Sequence, residues 1–214
     1  MLGHGGGVVS GDVTRVKICV GDGCTAVATT QAFTKVYKNH KNQFARQFVR
    51  AEVGAGGLLV MLPDPVVPYK DSRFVQNQQF LLAPSRDATL VGVYEGGQVR
   101  DGAGNGGPPA PSLSLVSAEE RLMGGSLVLV DWMTCGRGAC GERWQMEHYE
   151  SVNRVRVGSK WALHDAVRLS RDPLNSALEE RMKPFNCLAM VALVGPRTEK
   201  VLSVLVLLVQ KYEN

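Results

Sequence analysis

No apolar run in this 214-residue chain is long enough to cross a bilayer as a helix. The longest, Cys187–Gly195 and Val201–Val209, are separated by Pro196-Arg197-Thr198-Glu199-Lys200 and read as two buried strands joined by a turn. The opening Met1-Leu2-Gly3-His4-Gly5-Gly6 carries neither the basic region nor the apolar core of a secretory signal. Cysteine is scarce and odd in number: Cys19, Cys24, Cys135, Cys140 and Cys187 suit free thiols in a reducing cytosol better than a disulfide framework. Lys and Arg are scattered along the chain, and no basic stripe interleaved with aromatics argues for nucleic acid. A net charge of +4 suits contact with an acidic protein surface at least as well.

Catalytic signatures are missing too. No Ser sits in a Gly-x-Ser-x-Gly elbow, and no His-Glu-x-x-His pattern occurs. The glycines at Gly5-Gly6-Gly7 lack the Gly-Lys-Ser/Thr ending of a phosphate loop and run into a strand pattern rather than a helix. These absences favour a binding or scaffold role over an enzyme.

What the chain has in quantity is strand. A hydrophobic fraction of 44% against 21% charged is enough to build a core. Val13–Val20 alternates, with Val16, Ile18 and Val20 on one face and Arg15 and Lys17 on the other. Gly21-Asp22-Gly23 and Thr25–Thr30 then predict a hairpin. Further strands are expected at Gln43–Val53, Gly57–Leu62, Gln76–Leu82, Thr89–Tyr94, Leu127–Thr134, Ser151–Val157, Lys160–Leu169 and Leu188–Val194. The expectation is an all-β, single-domain chain over 1–214 built as a sandwich or a coiled stack of sheets. One short C-terminal helix, Asn175–Lys183, starts after Asp172-Pro173 and stops before Pro184. Gly96–Gly125, rich in Gly and Pro without apolar periodicity, reads as a disordered or foreign insertion. Thr89–Tyr94 and Leu127–Asp131 resemble alternative endings of one strand.

Metal-ligating candidates are few. Cys135 and Cys140 lack the second ligand pair of a zinc site. His148 beside Glu147 and His164 beside Asp165 could each offer imidazole and carboxylate to a divalent ion, or form surface hydrogen-bonding pairs. A stand-alone metal- or ligand-binding module using either His is therefore one reading. Leu62-Pro63-Asp64-Pro65-Val66-Val67-Pro68-Tyr69 is expected to leave the sheet as a rigid exposed edge, either a corner or a partner contact.

Four blocks in order resemble the UreD (UreH) family of urease accessory proteins. They are Gly5–Asp12, Thr29-Thr30-Gln31-Ala32-Phe33-Thr34-Lys35-Val36-Tyr37-Lys38, Leu62–Val66, and Asp131-Trp132 with Gly136-Arg137 and Gly141-Glu142. The resemblance covers Gly5–Tyr94 and Ser126–Pro196, skips Gly96–Gly125, and leaves Val201–Asn214 aside. It implies further strands before the first block and a longer C-terminal portion. It also implies a cytoplasmic, non-catalytic scaffold of stacked β-sheets that binds UreF-type and UreG-type (GTPase) partners and apo-urease. Such a scaffold passes Ni²⁺ through a polar interior without a tightly bound cofactor. On the same resemblance, Asp12, Thr34, Asp131 and Asp165 are the candidate nickel-transit positions. Many members carry a second acid after Asp12, where this chain has Val13.

Overall fold

The computed structural model describes residues 7–84, 90–95, 98–100, 124–171, 178–182 and 185–203. Two sheets face each other, and the chain winds between them. β2 (Val13–Val20) lies in one sheet; β3 (Thr25–Thr29) and β4 (Thr34–Val36) lie in the other. The next coil repeats this, with β5 (Ala45–Val53) in the first sheet and β6 (Leu58–Leu62) and β7 (Val66–Pro68) in the second. The third coil pairs β8 (Arg73–Leu82) with β11 (Ser126–Thr134), and β12 (His148–Val157) then opens a fourth. Equivalent strands stack parallel, β2 on β5 on β8 on β12, and β3 on β6 on β11. The second sheet also carries β1 (Gly7–Val8), parallel to β4, and the pair β9 (Leu90–Glu95) and β10 (Gln98–Arg100).

The last coil is closed by antiparallel strands. β13 (Lys160–Ser170) returns beside β12, and β14 (Cys187–Val194) returns beside β11. The architecture is thus a short β-coil, in which each crossover between parallel neighbours runs through the opposite sheet rather than through a helix. The helical elements are slight: α1 (Leu178–Met182), 3-10 turns at Gly138–Cys140 and Pro196–Thr198, and a helical stretch over 199–203.

The expected hairpin of Val13–Val20 with Thr25–Thr30 does not form, because β2 and β3 belong to different sheets. Alternation identifies a strand but not its partner. Gly21-Asp22-Gly23 is instead a corner, and its backbone groups are satisfied by the next coil. The Gly54 amide donates to the Val20 carbonyl (2.8 Å), that of Gly23 to Ala55 (2.8 Å) and that of Leu58 to Cys24 (2.8 Å). The expected strand Val201–Val209 is also corrected. Residues 201–203 continue a helical stretch that follows directly on the Pro196–Thr198 turn, and 204–209 lie outside the described residues. Nor are Thr89–Tyr94 and Leu127–Asp131 two endings of one strand: β9 and β11 flank β14 on opposite sides. The expected helix survives as α1, with 175–177 and 183 outside the described residues, as is 101–123 within the Gly96–Gly125 segment.

Two apolar tiers fill the space between the sheets. One gathers Ala51, Phe80, Val155, Leu59, Leu129 and Ala192 with their neighbours. The other gathers Val36, Phe74, Met133, Trp144, Met146 and Tyr149.

Candidate functional site

Between these tiers the interior turns polar. The cause lies in the strand sequences. In Phe74-Val75-Gln76-Asn77-Gln78-Gln79-Phe80 the period of two sends Phe74, Gln76, Gln78 and Phe80 to the same inward face. Tyr149, Ser151, Asn153 and Val155 do the same on β12, as do Leu129, Asp131 and Met133 on β11. Parallel register then lines the polar positions up across coils. Gln47, Gln76 and Ser151 form one row; Gln78, Asn153 and Asp165 form the next.

Asp131 projects from the opposite sheet into this layer. Its carboxylate accepts hydrogen bonds from Ser151 Oγ (2.6 Å), Asn153 Nδ2 (2.7 Å) and Gln76 Nε2 (2.9 Å). Asn153 Nδ2 also reaches Asp165 Oδ2 (3.3 Å) and so links the two acids, while Gln78 Nε2 donates to Asn153 Oδ1 (3.0 Å). Gln76, Ser151 and Asn153 are 4%, 1% and 0% exposed, so these amides and hydroxyl depend on protein partners. All three donors to Asp131 are neutral, and among the described residues no Lys or Arg pairs with it. Tyr149 closes the layer, stacked on Phe74 at 6.0 Å. Burial, then the negative charges of Asp131 and Asp165, push its phenol well above the ordinary tyrosine range, although its hydrogen bond with Ser151 works in the other direction. A cavity of about 270 Å³, lined by Asp131, Tyr149, Ser151, Asp165, Trp132 and Met190 among others, adjoins the cluster.

The second sheet is interrupted at the same level. β6 pairs with β11 as far as Leu129, and β7 resumes opposite Met133, so Pro63-Asp64-Pro65 leaves a break beside Asp131. The adjacent coil breaks too, between β3 and β4. The two breaks are stitched together: Thr30 Oγ1 donates to Asp64 Oδ2 (2.9 Å) and accepts from the Asp64 amide (2.7 Å). Trp132 Nε1 spans the gap to the Pro63 carbonyl (2.8 Å). The proline segment is therefore not an exposed edge. It steps out for residues 63–65 and returns as β7, whose three residues are buried, because proline removes ladder donors only locally.

The four candidate positions separate in space. Asp131 and Asp165 meet in the polar layer. Asp12 is exposed at the start of β2, where its Oδ2 accepts from the Val9 amide (2.9 Å) and so caps its own turn. Thr34 sits in register with Val66 and Met133, one step beyond the break and beside the apolar tier. Asp12 is tied to Val9, and the Thr34 amide donates to the Pro65 carbonyl (3.1 Å), both away from the Asp131 cluster. Gln76, Gln78, Tyr149, Ser151 and Asn153 were not singled out by sequence reasoning. Their signal was polar residues at the inward phase of strands bracketed by Phe, Tyr and Val, which becomes visible only once the inward face is known.

The rest of the Asp131–Glu142 block is elsewhere. Arg137 Nε donates to Glu142 Oε2 (2.9 Å), and its guanidinium lies 4.3 Å from the centre of the Tyr69 ring. That hydrogen-bonded pair holds Glu142 below the ordinary carboxylate range. Gly136 precedes it with φ +110°, and an added Cβ would stand 2.6 Å from the Glu142 carbonyl oxygen and 2.9 Å from that of Pro68. Only glycine fits there.

Among the described residues the histidines build no metal centre. Glu147 faces Arg73 and Asn39 rather than His148, whose Nε2 lies 3.4 Å from Glu150 Oε2. His164 is exposed opposite Arg154. Cys135 is buried, Cys140 is exposed, and all five thiols are free. Among the described residues no group of three or more His, Cys, Asp or Glu side chains could hold a metal ion. No helix among them is long and apolar enough to cross a membrane.

The family model described as "UreD urease accessory protein" matches residues 1–94 and 122–212. Urease accessory protein D of Arabidopsis thaliana is 35% identical over 199 residues, covering 92% of this chain and 54% of its own length. Urease accessory protein UreD of Sorangium cellulosum is 39% identical over 193 residues, 90% of this chain and 48% of its own. Urease accessory protein 4 of Cryptococcus neoformans is 26% identical over 232 residues, 95% of this chain and 60% of its own. The chain spans about half the length of the curated relatives it matches. The match runs on through most of Val201–Asn214, which the resemblance had set aside, and omits 95–121, close to the segment it had skipped.

Proposed function

Because the chain belongs to the UreD urease accessory protein family, we propose that it works in urease maturation as a non-catalytic scaffold that passes Ni²⁺ through its polar interior layer. The observation that carries this reading is Asp131, a carboxylate held by three neutral donors beside a cavity and between two apolar tiers. An acid so placed attracts a divalent cation without a fixed positive charge to compete with it. The ligands at hand are carboxylate, hydroxyl and carboxamide oxygens, which bind Ni²⁺ more weakly than an imidazole or thiolate cage. Weak successive contacts suit an ion that must leave again. The aligned rows from Gln47 to Ser151 and from Gln78 to Asp165 give such contacts a direction, across the coils rather than along a strand.

In this reading Asp131 and Asp165 form the transit site, and Asp12 and Thr34 lie toward its approaches. The partners are UreF-type and UreG-type accessory proteins and apo-urease, in the cytoplasm. The test is complementation of a urease-positive strain lacking its own UreD, with urease activity and urease-bound nickel as readouts. Restoration by the wild-type sequence and its loss with Asp131→Asn are expected. Wild-type activation by Asp131→Asn would overturn the route. Titration of the isolated chain with Ni²⁺ is expected to show weak binding, whereas tight stoichiometric uptake would favour a storage module instead.

A further inference from the structure

The scatter of Lys and Arg in the sequence disappears once the coils are stacked. Lys17, Arg50, Gln79, Arg154 and His164 occupy one register row, each directly opposite the next across β2, β5, β8, β12 and β13. Their inward neighbours Ile18, Ala51, Phe80, Val155 and Leu163 belong to the core, so the row lies on the outer face of the five-stranded sheet. Arg15 and Arg46 on one side and Arg156 on the other widen it.

Acidic compensation is thin. Glu52 pairs with Arg50 at 3.2 Å, while Arg154, among the described residues, bonds to the neutral Asn77 Oδ1 (3.1 Å). Lys17 stands directly opposite Arg50, an arrangement of like charges that weakens a sheet. Arg156 Nε is buried without a hydrogen-bond partner among the described residues. A row that opposes its own fold in this way is explained by a counter-charge from outside.

We propose that this row docks an acidic helix of a protein partner, laid across the strands. Strand separation of about 4.8 Å puts the five positions on a line of roughly 19 Å. Side chains at i, i+3, i+4 and i+7 of a helix recur at about 5–6 Å, so about 13 residues of helix match the row's length and pitch. A nucleic acid fits less well, because a sheet that binds single strands offers bare aromatic faces for base stacking. Here Arg15 lies over Phe48 (5.4 Å), and Arg46 and Arg73 lie over Phe44 (5.6 and 5.4 Å), which leaves the exposed Trp161, opposite Arg156, without the run of bare neighbouring rings that base stacking uses. The docking face is on the outside of the sheet and does not depend on the nickel route within it.

The test is fluorescence anisotropy on the whole chain with a labelled, stapled helical peptide carrying Glu at i, i+4 and i+7. The comparison probes are an isomer with the same residues spread around the helix, and a polyuridine oligonucleotide. The expected result is salt-sensitive binding of the striped peptide. That binding should be about tenfold weaker for Lys17→Gln/Arg50→Gln/Arg154→Gln, with a thermal transition no lower than that of wild type. A second variant, Lys17→Glu/Arg50→Glu, should instead capture the matching Lys-striped peptide. Equal binding of the isomer, no loss in the Gln variant, or preference for the oligonucleotide would each overturn the proposal. Urease activation by Asp131 variants is a separate readout, so the two ideas can fail independently.

Discussion

Replacing Asp131 should separate the fold from the proposed function. In Asp131→Ala the carboxylate vanishes, and Gln76, Ser151 and Asn153 each lose an acceptor at 2.9, 2.6 and 2.7 Å. A hydrogen bond to a charged group contributes about 1.5–3 kcal/mol net, so three of them set an upper bound of several kcal/mol. Two effects reduce this. Removing the acid relieves the desolvation of a half-buried charge. The neighbouring cavity can also supply water to the stranded donors. A net loss of about 2–4 kcal/mol is expected, read as a fall of roughly 4–16 °C in melting temperature at 2–4 °C per kcal/mol.

Asp131→Asn behaves differently. With its amide oxygen at the Oδ2 position it still accepts from Ser151 and Asn153, and its NH₂ then faces Gln76, whose own amide must flip to present an oxygen. Stability should fall by no more than about 1–2 kcal/mol, yet the negative charge is gone. Thermal or urea unfolding gives the first number; urease activity and urease-bound nickel in the complemented strain give the second. An Asn variant that folds well and delivers nickel normally would refute the role of charge. An Ala variant as stable as wild type would refute the hydrogen-bond account of the layer.

Tyr149→Phe should flatten the alkaline limb of stability. A phenol whose folded pKa is raised by burial keeps its proton while the unfolded chain releases one. Wild type should therefore lose about 1.4 kcal/mol per pH unit as pH rises above the ordinary tyrosine value near 10, and the variant should not. Glu147 is the opposite case. Its hydrogen bond with Arg73 holds its pKa down, so its contribution is present above the ordinary carboxylate range and disappears as pH falls through the folded value. The stability gap between wild type and Glu147→Gln should narrow from pH 6 to pH 3 in urea titrations. Gly136→Ala, with φ +110° and two carbonyl oxygens under 3.0 Å from the new Cβ, should lose at least about 2–4 kcal/mol, visible as a lowered melting temperature.

The strands were legible in the sequence wherever one face is apolar, as in Val13–Val20, because alternation is a local property. Pairing was not legible. Gly21-Asp22-Gly23 has the composition of a hairpin turn, and bonds to the next coil such as that of the Gly54 amide to the Val20 carbonyl, 34 positions apart, show that it is a corner. Asp131 and Asp165 could be named from family resemblance. Their common neighbour Asn153 could not, because its meaning depends on being level with Gln78 in the preceding coil. The basic row escaped for the same reason. Lys17, Arg50 and Arg154 are far apart in sequence and become neighbours only through parallel register.

The winding also separates chain length from alignment. The corners at 21–24 and 54–57 are short, whereas the equivalent passage from β8 to β11 takes in 83–125. Nonetheless Ser126 re-enters opposite Leu58, on the rung that Thr25 occupies in the first coil. Added length between strands does not slip the stack, much as extra thread at the rim of a bobbin leaves the turns beneath it in place. Loops grafted at that corner should therefore be tolerated, whereas one residue added at the start of β8 would invert the side chains after it in that strand and turn Gln76 and Gln78 outward.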